Sequence, residues 1–475
     1  MAENKFPCTV AGKCGGCQLT NMTYEKQLSF KQAKVIKLMG RFCRVSEIIG
    51  MDDPFHYRNK VQAAFGMTRG GQIISGVYQS STHRIVKVDK CFIEDKQADE
   101  IIVTVRNLLK SFKLSVYNEN NGNGFLRHVL VRKAFGTGEI MVVLVTGTPV
   151  FKSKNSFCEA LLKAHPEITT IVQNVNNKFT SMVLGDKQTV LYGDGYITDI
   201  LCGMKFRISP KSFYQINYKG TQILYSKALE FAELTGKERV IDAYSGVGTI
   251  GLLASKTAGE VISVELNSEA VSDAKINAKI NDVKNIKFFN DDATPFMLEM
   301  AKAGESADVV LLDPPRAGCT QSFLRSVVAL SPEKVVYVSC NPETLARDVL
   351  YLTKFGGYKA KKCQPVDMFP FTNHVETVVL LSQRRPDTHI DIKLDLSELD
   401  VTAAETKATY QEIKNYVLDK HGLKVSSLYI SQVKAKCGII ERENYNKGKE
   451  GHRVPKCPKE KEEAIMDALK HFNMI

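Results

Sequence analysis

The spacing of hydrophobic positions along this chain changes near residue 210, and the change predicts two kinds of sheet. Residues 55–200 form short alternating segments separated by turns, including a hairpin with arms at 126–135 and 139–145. From about Tyr214, runs that are apolar on both faces alternate with helical segments. Strands buried on both faces and separated by helices are typical of a parallel, doubly wound sheet. The pattern therefore predicts a β-rich central domain followed by an α/β domain.

The same pattern sets the expected elements and domain limits. A helix is predicted at 24–39, and two more, which resemble either a helix-turn-helix or any other helical hairpin, at 405–420 and 427–436. The strands expected in the α/β domain are 240–243, 261–265, 286–289, 309–312, 335–338 and 377–381. The expected divisions are 1–95 (N-terminal cysteine segment and start of the central domain), 96–207 (central domain), 208–383 (α/β domain) and 384–475 (linker and helical extension).

Composition narrows the classes of partner and compartment. The formal net charge of +12 favours an anionic partner, most commonly nucleic acid, although a basic solvated surface would give the same number. The longest apolar runs are far shorter than the roughly 20 residues of a transmembrane helix, and the N-terminus is unlike a signal peptide. Twelve cysteines without a secretory signal indicate a reducing compartment, so we expect a cytoplasmic protein whose thiols serve metal binding or catalysis. We also expect a monomer.

A glycine-rich turn follows the first strand of the α/β domain. Gly246, Gly248 and Gly251 permit a tight turn at the head of a helix, and Glu265 closes the next strand, where it can accept hydrogen bonds from a ribose. This spacing fits a dinucleotide as well as S-adenosylmethionine. Asp313, followed by two prolines at the end of the fourth strand, separates the two, because methyltransferases acting on nucleobases commonly have such a turn and dehydrogenases do not need it.

The residue that follows the two prolines bears on the type of methylation. Enzymes that methylate exocyclic amines usually carry an aromatic residue after the prolines, whereas this chain has Arg316. The sequence therefore points away from amine methylation.

Cys340 is the candidate nucleophile. It ends the fifth strand and precedes Asn341 and Pro342, which suit the N-cap and first turn of a helix. A helix N-terminus stabilises a thiolate, so the position predicts a reactive cysteine. The alternative is a small hydrophobic core residue, which describes many cysteines.

A thiolate is the group that methylation of uracil at carbon 5 requires. Carbon 5 is a poor nucleophile until a thiolate adds to carbon 6 and makes the ring an enolate. A general base must then remove the carbon 5 proton, and Glu376, just before the last apolar strand, is the candidate. A solvated residue at the start of a strand would leave the same pattern.

Taken together, these segments resemble the RNA uracil-5-methyltransferase family, over residues 1–382. The segments are 209–217 (Ser-Pro-Lys-Ser-Phe-Tyr-Gln-Ile-Asn), 242–248, 313–316, 339–342 and 374–376, in the order of the family. The resemblance implies S-adenosylmethionine contacts at Gln215, Tyr244, Glu265 and Asp313, with Asp292 a further candidate. It also implies an RNA substrate, Cys340 as nucleophile and Glu376 as base.

Four cysteines refine the expected substrate. Cys8, Cys14, Cys17 and the distant Cys91 fit structural zinc or an iron–sulfur cluster. Their arrangement resembles the [4Fe–4S] site of the bacterial members that modify 23S ribosomal RNA, so ribosomal RNA is favoured over transfer RNA. A non-catalytic iron–sulfur RNA-binding factor on the same scaffold is the alternative of another class.

Overall fold

The computed structural model describes residues 8–79, 82–180, 182–383, 410–437, 457–472 and 474. The chain divides into two compact units, Met1–Arg385 and Pro386–Ile475. In the described part of the chain, no helix combines the length and the apolar character that crossing a membrane demands.

The chain begins with two helices, α1 (Ala11–Cys14) and α2 (Tyr24–Met39). The predicted limits of α2 are confirmed, and Thr23 caps it by accepting a hydrogen bond from the Lys26 amide. Val35 and Met39 on its inner face are fully buried in the core of the α/β sheet. Tertiary packing therefore joins this helix to the α/β domain, although the expected limits grouped it with the N-terminal segment.

The first sheet has seven strands in the order β3-β2-β1-β4-β5-β6-β7. The predicted hairpin is present, since β4 and β5 pair antiparallel from Leu126 and Thr146 to Lys133 and Ile140. Helices α3 and α4 cover the face that carries the alternating apolar residues of β1, β4 and β5. The elements of this part are β1 (Lys60–Met67), β2 (Ile73–Tyr78), β3 (Ile85–Lys87), α3 (Lys96–Ser111), β4 (Leu126–Lys133), β5 (Ile140–Thr146), α4 (Lys154–Ala164), β6 (Ile168–Val175) and β7 (Lys187–Tyr192).

A two-stranded ribbon and a helix lead into the second sheet. The ribbon consists of β8 (Ile197–Leu201) and β9 (Met204–Ile208), and α5 (Tyr218–Ala232) follows the segment 209–217. Asn217 caps α5 by accepting a hydrogen bond from the Gly220 amide at 2.9 Å. The cap fixes the direction in which the segment 209–217 enters the helix.

The second sheet also has seven strands, in the order β12-β11-β10-β13-β14-β16-β15. Its elements are β10 (Arg239–Ala243), α6 (Thr249–Ala254), β11 (Glu260–Glu265), α7 (Ser268–Ile280), β12 (Ile286–Asn290), α8 (Ala293–Lys302), β13 (Val309–Leu312), α9 (Gln321–Leu330), β14 (Lys334–Ser339), α10 (Pro342–Phe355), β15 (Tyr358–Val366) and β16 (Glu376–Gln383). All six predicted strands are present.

The expectation of a wholly parallel sheet is wrong at one edge. β10 to β14 are parallel, but β16 pairs antiparallel with β14 and with β15. The strand β15 was also missed, because Lys359, Lys361 and Lys362 interrupt its apolar pattern. This antiparallel edge brings the start of β16 to the end of β14.

The described residues of the second unit form three helices with their own core. They are α11 (Tyr410–His421), α12 (Ser427–Lys436) and α13 (Lys459–His471), and α13 was not predicted. Ile413, Ile430 and Ile465 are fully buried where the three helices meet. The expected linker and the first residues of the predicted helix at 405–420 lie outside the described residues.

Candidate functional site

The end of β14 and the start of β16 bring Cys340 and Glu376 to one edge of the sheet. The antiparallel register pairs Ser339 with Thr377, so Cys340 and Glu376 each lie one residue beyond that pair. Asn341 caps α10 by accepting a hydrogen bond from the Glu343 amide at 3.2 Å, and Pro342 is the first helical residue, as predicted. Cys340 therefore occupies the junction of a strand and a helix.

Two carboxyl groups lie near this thiol, those of the buried Glu376 and the half-buried Asp313. Burial raises the pKa of Glu376 well above its ordinary value, and the neighbouring Asp313 raises it further. Asp313 follows the last residue of β13, and burial raises its pKa to about 7. Glu376 is 3% exposed, so it is not the solvated strand residue that its sequence position also allowed. A buried carboxylate with a raised pKa is a stronger proton acceptor than one in water.

The electrostatics of Cys340 differ from the expectation that a helix N-terminus would favour its thiolate. Burial raises the pKa of Cys340 to about 11, Glu376 and Asp313 add to this, and Arg316 opposes it. Burial and the two carboxyl groups therefore oppose the effect that was expected of the helix end. The Arg316 guanidinium also lies 3.2 Å from the His374 ring nitrogen Nδ1.

Tyr225 on α5 lies beneath the site and was not predicted. It is 3% exposed, and burial raises its pKa, with further contributions from Asp313 and Glu376 and an opposing hydrogen bond from Gln215. The structure therefore places Gln215 in the same group as the two carboxyl residues. The sequence signal of Tyr225 is that of any aromatic residue on the buried face of an amphipathic helix, so the pattern could not single it out.

The glycine-rich turn holds two carboxylates in fixed positions. The Gly251 amide donates to Asp242 Oδ2 at 2.9 Å, and a Cβ atom at Gly251 would lie only 2.6 Å from that oxygen. The Gly246 amide donates to Glu265 Oε2 at 2.9 Å, and the Asn267 amide donates to Glu265 Oε1 at 2.8 Å. Each Glu265 oxygen keeps a further lone pair, so the carboxylate can still accept hydrogen bonds from a ligand.

A cavity of about 390 Å³ opens beside this turn. Its walls include Gly246 and Glu265 on one side and the segment from Ser209 to Phe213 on the other. The volume lies in the range of small-ligand pockets. The other residues predicted to contact the cofactor lie outside its lining and are Gln215, Tyr244, Asp292 and Asp313.

Tyr244 and Asp292 occupy a neighbouring part of the same sheet edge. Tyr244 has a positive φ of 65° and packs its ring 4.9 Å from that of Phe323. Asp292 is exposed and caps α8 by accepting a hydrogen bond from the Thr294 amide at 2.8 Å. Burial raises the pKa of Tyr244, and Cys319 and Asp292 raise it further, so Asp292 lies within electrostatic range of Tyr244.

The four predicted metal cysteines come together at a second cavity, of about 280 Å³. Cys8, Cys14 and Cys17 line it with Cys91, which the turn after β3 brings to the N-terminal segment. Burial raises the pKa of Cys17 to about 12 and also raises the pKa of Cys14 and Cys91. Over the described part of the chain, no group of three or more His, Cys, Asp or Glu side chains is arranged closely enough to hold a metal ion. The thiols therefore share a cavity without forming a ready coordination sphere.

The sheet edge that carries Cys340 and Glu376 has the groups that covalent chemistry on a nucleobase needs. The Cys340 thiol is a group that can act as a nucleophile, and the buried Glu376 carboxyl group on the adjacent strand is one that can accept a proton. The cavity beside Glu265 offers room for a second ligand at the same sheet edge.

Comparison with known proteins shows which proteins this chain is similar to. An uncharacterised RNA methyltransferase of Halalkalibacterium halodurans is 46% identical over 380 residues, which cover 79% of this chain and 82% of the relative. Another from Clostridium acetobutylicum is 45% identical over 383 residues, 79% of this chain and 83% of the relative.

A solved structure shares the fold of the larger unit. It is the crystal structure of Pyrococcus abyssi tRNA (uracil-54, C5)-methyltransferase in complex with S-adenosyl-L-homocysteine. It has a TM-score of 0.64 and 30% identity, and covers 77% of this chain and 85% of its own. The profile of the tRNA (uracil-5-)-methyltransferase family matches residues 23–384. The chain therefore belongs to the RNA uracil-5-methyltransferase family and is an RNA methyltransferase.

Proposed function

We propose that this enzyme transfers a methyl group from S-adenosylmethionine to carbon 5 of a uridine in RNA, with Cys340 as nucleophile and Glu376 as base. The observation that carries the proposal is the register of β14 and β16, which brings a thiol and a buried carboxyl group to adjacent strand ends. The alternative of a non-catalytic RNA-binding factor gives no reason for burying a carboxyl group beside a thiol.

The reaction balances with these two side chains. The Cys340 thiol loses its proton to solvent, its sulfur forms a bond to carbon 6, and the electrons of the carbon 5–carbon 6 double bond move towards carbon 5 and the carbonyl oxygen. S-adenosylmethionine, when bound, would supply the methyl group that carbon 5 takes up and would be left as the neutral thioether S-adenosylhomocysteine. Glu376 then accepts the carbon 5 proton, the double bond re-forms, and Cys340 leaves as a thiolate. The proton passes from Glu376 to solvent.

We infer that the cofactor binds along the sheet edge from Glu265 to Asp313. Glu265 would accept hydrogen bonds from the ribose, and Gly246 allows a ligand to approach the backbone, since a Cβ atom there would meet no atom within 4 Å. Gln215 and Tyr244 flank this path, and the exposed Asp292 lies near Tyr244.

Because the pKa of Cys340 is raised, we expect the bound cofactor to affect the ionisation of this thiol as well as to supply the methyl group. A positively charged cofactor bound at this sheet edge would favour the thiolate, because a nearby positive charge stabilises a negative one. Cys340 is thus expected to remain mostly protonated, and unreactive, until the cofactor is present.

We further propose a [4Fe–4S] cluster at Cys8, Cys14, Cys17 and Cys91. Four thiols around one cavity match the ligand type that such clusters use, although structural zinc uses the same ligands. Elemental analysis of anaerobically purified protein should give about four iron and four sulfide per chain. A result of one zinc and no sulfide per chain would contradict the cluster and indicate a zinc site instead.

For the substrate, we favour 23S ribosomal RNA because of the four-cysteine arrangement. Transfer RNA is the second candidate, since the matching family profile and the Pyrococcus abyssi enzyme are both named for it. Mapping 5-methyluridine in both RNA classes, from cells with and without the gene, decides between them. Loss of the modification from transfer RNA alone would contradict the ribosomal assignment.

The mechanism is tested with two substitutions. Cys340→Ala should abolish methyl transfer while S-adenosylmethionine still binds, and Cys437→Ala in the second unit is the matched control. Glu376→Gln should accumulate a covalent RNA–protein complex that survives denaturation, because the adduct forms and cannot be resolved. Methyl transfer by Cys340→Ala, or the absence of a trapped complex with Glu376→Gln, would contradict the respective assignment.

A further inference from the structure

The 367–375 loop joins β15 to β16 and ends directly before Glu376. It is held by hydrogen bonds that four consecutive carbonyl groups of the loop accept. Each carbonyl accepts a hydrogen bond from a different part of the protein. The bonds run from Asn217 Nδ2 to the Met368 oxygen (2.9 Å), from Lys31 Nζ to Phe369 (2.9 Å), from Tyr57 Oη to Pro370 (3.1 Å) and from the Gln18 and Leu19 amides to Phe371 (3.0 and 2.9 Å). A loop with every one of these carbonyls bound has little freedom to shift.

A buried ion pair anchors the start of this loop to α2. Lys31 Nζ lies 2.6 Å from Asp367 Oδ1, and both side chains are fully buried. The same carboxylate oxygen accepts a hydrogen bond from the Phe369 amide at 3.1 Å. One turn before Lys31 on α2, Gln27 Oε1 accepts a hydrogen bond from the Phe371 amide at 2.8 Å. One face of α2 therefore binds the loop at both a carboxylate and the backbone.

The backbone of the loop is strained at one position. Phe371 has a φ of 67°, in the left-handed region that a non-glycine residue rarely occupies, and its ring is 4% exposed. Such a conformation persists only where the surroundings determine it, and here five hydrogen bonds on the two sides of the loop do so. Val366 pairs with Glu376 across the loop, so any change in loop shape acts on the position of Glu376.

Stability alone does not explain the ion pair. Burying two charges costs more desolvation free energy than leaving the same pair exposed to water. Apolar residues of the same size often stabilise a core equally well. A lysine can do what an apolar residue cannot, because one ammonium group binds both the Asp367 carboxylate and the Phe369 carbonyl. This arrangement fixes the loop in one register.

We propose that Lys31 and Asp367 are positioning residues for the proton-removal step, which hold the 367–375 loop so that Glu376 faces the carbon 5 proton. The inference rests on the proposed function of Glu376. It assigns to α2, a helix distant in sequence from the catalytic residues, a role in releasing the product from Cys340. The nucleophile itself lies between the end of β14 and the start of α10, outside this loop.

The test separates the two halves of the reaction. RNA from cells that lack the gene is incubated with S-adenosylmethionine and the full-length protein carrying Lys31→Met, Tyr57→Phe or Glu376→Gln. Lys31→Met should lower kcat by about tenfold or more, leave the KM of both substrates within about twofold, and raise the fraction of enzyme trapped as a covalent RNA complex. Tyr57→Phe removes one hydroxyl group, keeps the ring, and should shift the same quantities less.

A control variant and the contrary outcomes distinguish a failure of the positioning role from a failure of the proposed role of Glu376 as base. Lys37→Met, on the exposed face of the same helix, should behave as wild type. If Glu376→Gln traps RNA while Lys31→Met and Tyr57→Phe trap no more than wild type, the positioning role is overturned and the mechanism stands. If Glu376→Gln also traps nothing, the assignment of the base fails instead. Should Lys31→Met not fold, Tyr57→Phe decides.

Discussion

Cys340 illustrates how a single residue can be placed for reaction and still be held unreactive. Its pKa of about 11 means that few molecules carry a thiolate at neutral pH, and the neighbouring charges set the value in opposite directions. Glu376 and Asp313 raise the pKa, whereas Arg316 lowers it. Each of these charges can be changed separately.

We therefore predict that alkylation of Cys340 by iodoacetamide in the cofactor-free protein is slow at pH 8 and rises with pH well beyond the range of a free cysteine. Arg316→Met should slow it further, and Glu376→Gln should accelerate it, each by up to about tenfold per unit of pKa change. Mass spectrometry of the Cys340 peptide measures the rate separately from the other cysteines. An alkylation midpoint below pH 9 in the wild type would contradict the electrostatic account.

Asp313 gives a prediction for stability. Its pKa is raised to about 7 in the folded protein, from 3.8, so the folded state binds the proton more tightly than the unfolded state. The resulting stabilisation is fully present below about pH 4 and is lost as the pH rises through 7. Asp313→Asn removes this dependence, so its free energy of unfolding relative to wild type should increase from pH 5 to pH 8, by up to about 3 kcal/mol.

Urea denaturation at several pH values measures this difference. Asp308→Asn, at an exposed position before β13, serves as the control and should show no such trend. A relative stability of Asp313→Asn that stays constant or falls over this range would mean that Asp313 is ionised in the folded protein.

At the scale of elements, α10 holds the loop that follows Asp313. Asp348 on α10 is fully buried, and its Oδ2 atom accepts hydrogen bonds from the Cys319 amide at 2.8 Å and the Tyr337 hydroxyl at 2.7 Å. Arg347 donates to the Ala317 and Cys319 carbonyls. The helix that begins after Cys340 thereby fixes the loop that carries Arg316.

Gly318 in that loop should tolerate no side chain. It has a φ of 76°, and a Cβ atom would lie 2.6 Å from Asp348 Oδ2. Gly304 has a φ of 72° with nothing within 4 Å, so Gly304→Ala should cost only the backbone term of about 1 kcal/mol. We expect Gly318→Ala to lower the free energy of unfolding by clearly more than this, and to reduce methyl transfer. Equal losses in thermal denaturation would show that the close approach is unimportant.

For the whole molecule, the division into two units is the main observation. The second unit has its own core of apolar residues from α11, α12 and α13, and lies outside the part of the chain that the family profile matches. It is thus an addition to the family's catalytic unit.

We predict that deleting residues 386–475 leaves S-adenosylmethionine affinity and the thermal unfolding of the larger unit unchanged, because the family profile ends at residue 384 and the described residues of the second unit have a core of their own. We also predict that RNA binding weakens, since the extension would contribute contacts. Filter binding at fixed salt concentration measures this. Unchanged RNA affinity and activity would leave the extension without a role in substrate binding.

Much of the catalytic sheet could be predicted because its strands are buried on both faces and read as continuous apolar runs. The pattern failed at β15, where lysines on the exposed face hide the strand, and at α13, whose charged residues outnumber its apolar ones. The direction of β16 was also missed, since apolar periodicity carries no information about whether neighbouring strands run parallel.

The sequence by itself determined the glycine-rich turn and the cap of α10, because these depend on residues close together in the chain. Only the tertiary structure decided that Glu376 is buried opposite Cys340, that Tyr225 lies beneath both, and that Lys31 binds the loop before Glu376. It also decided the pKa of Cys340, since that value depends on burial and on charges at the start of β16 and in the loop after β13, which meet the end of β14 only after the chain has folded.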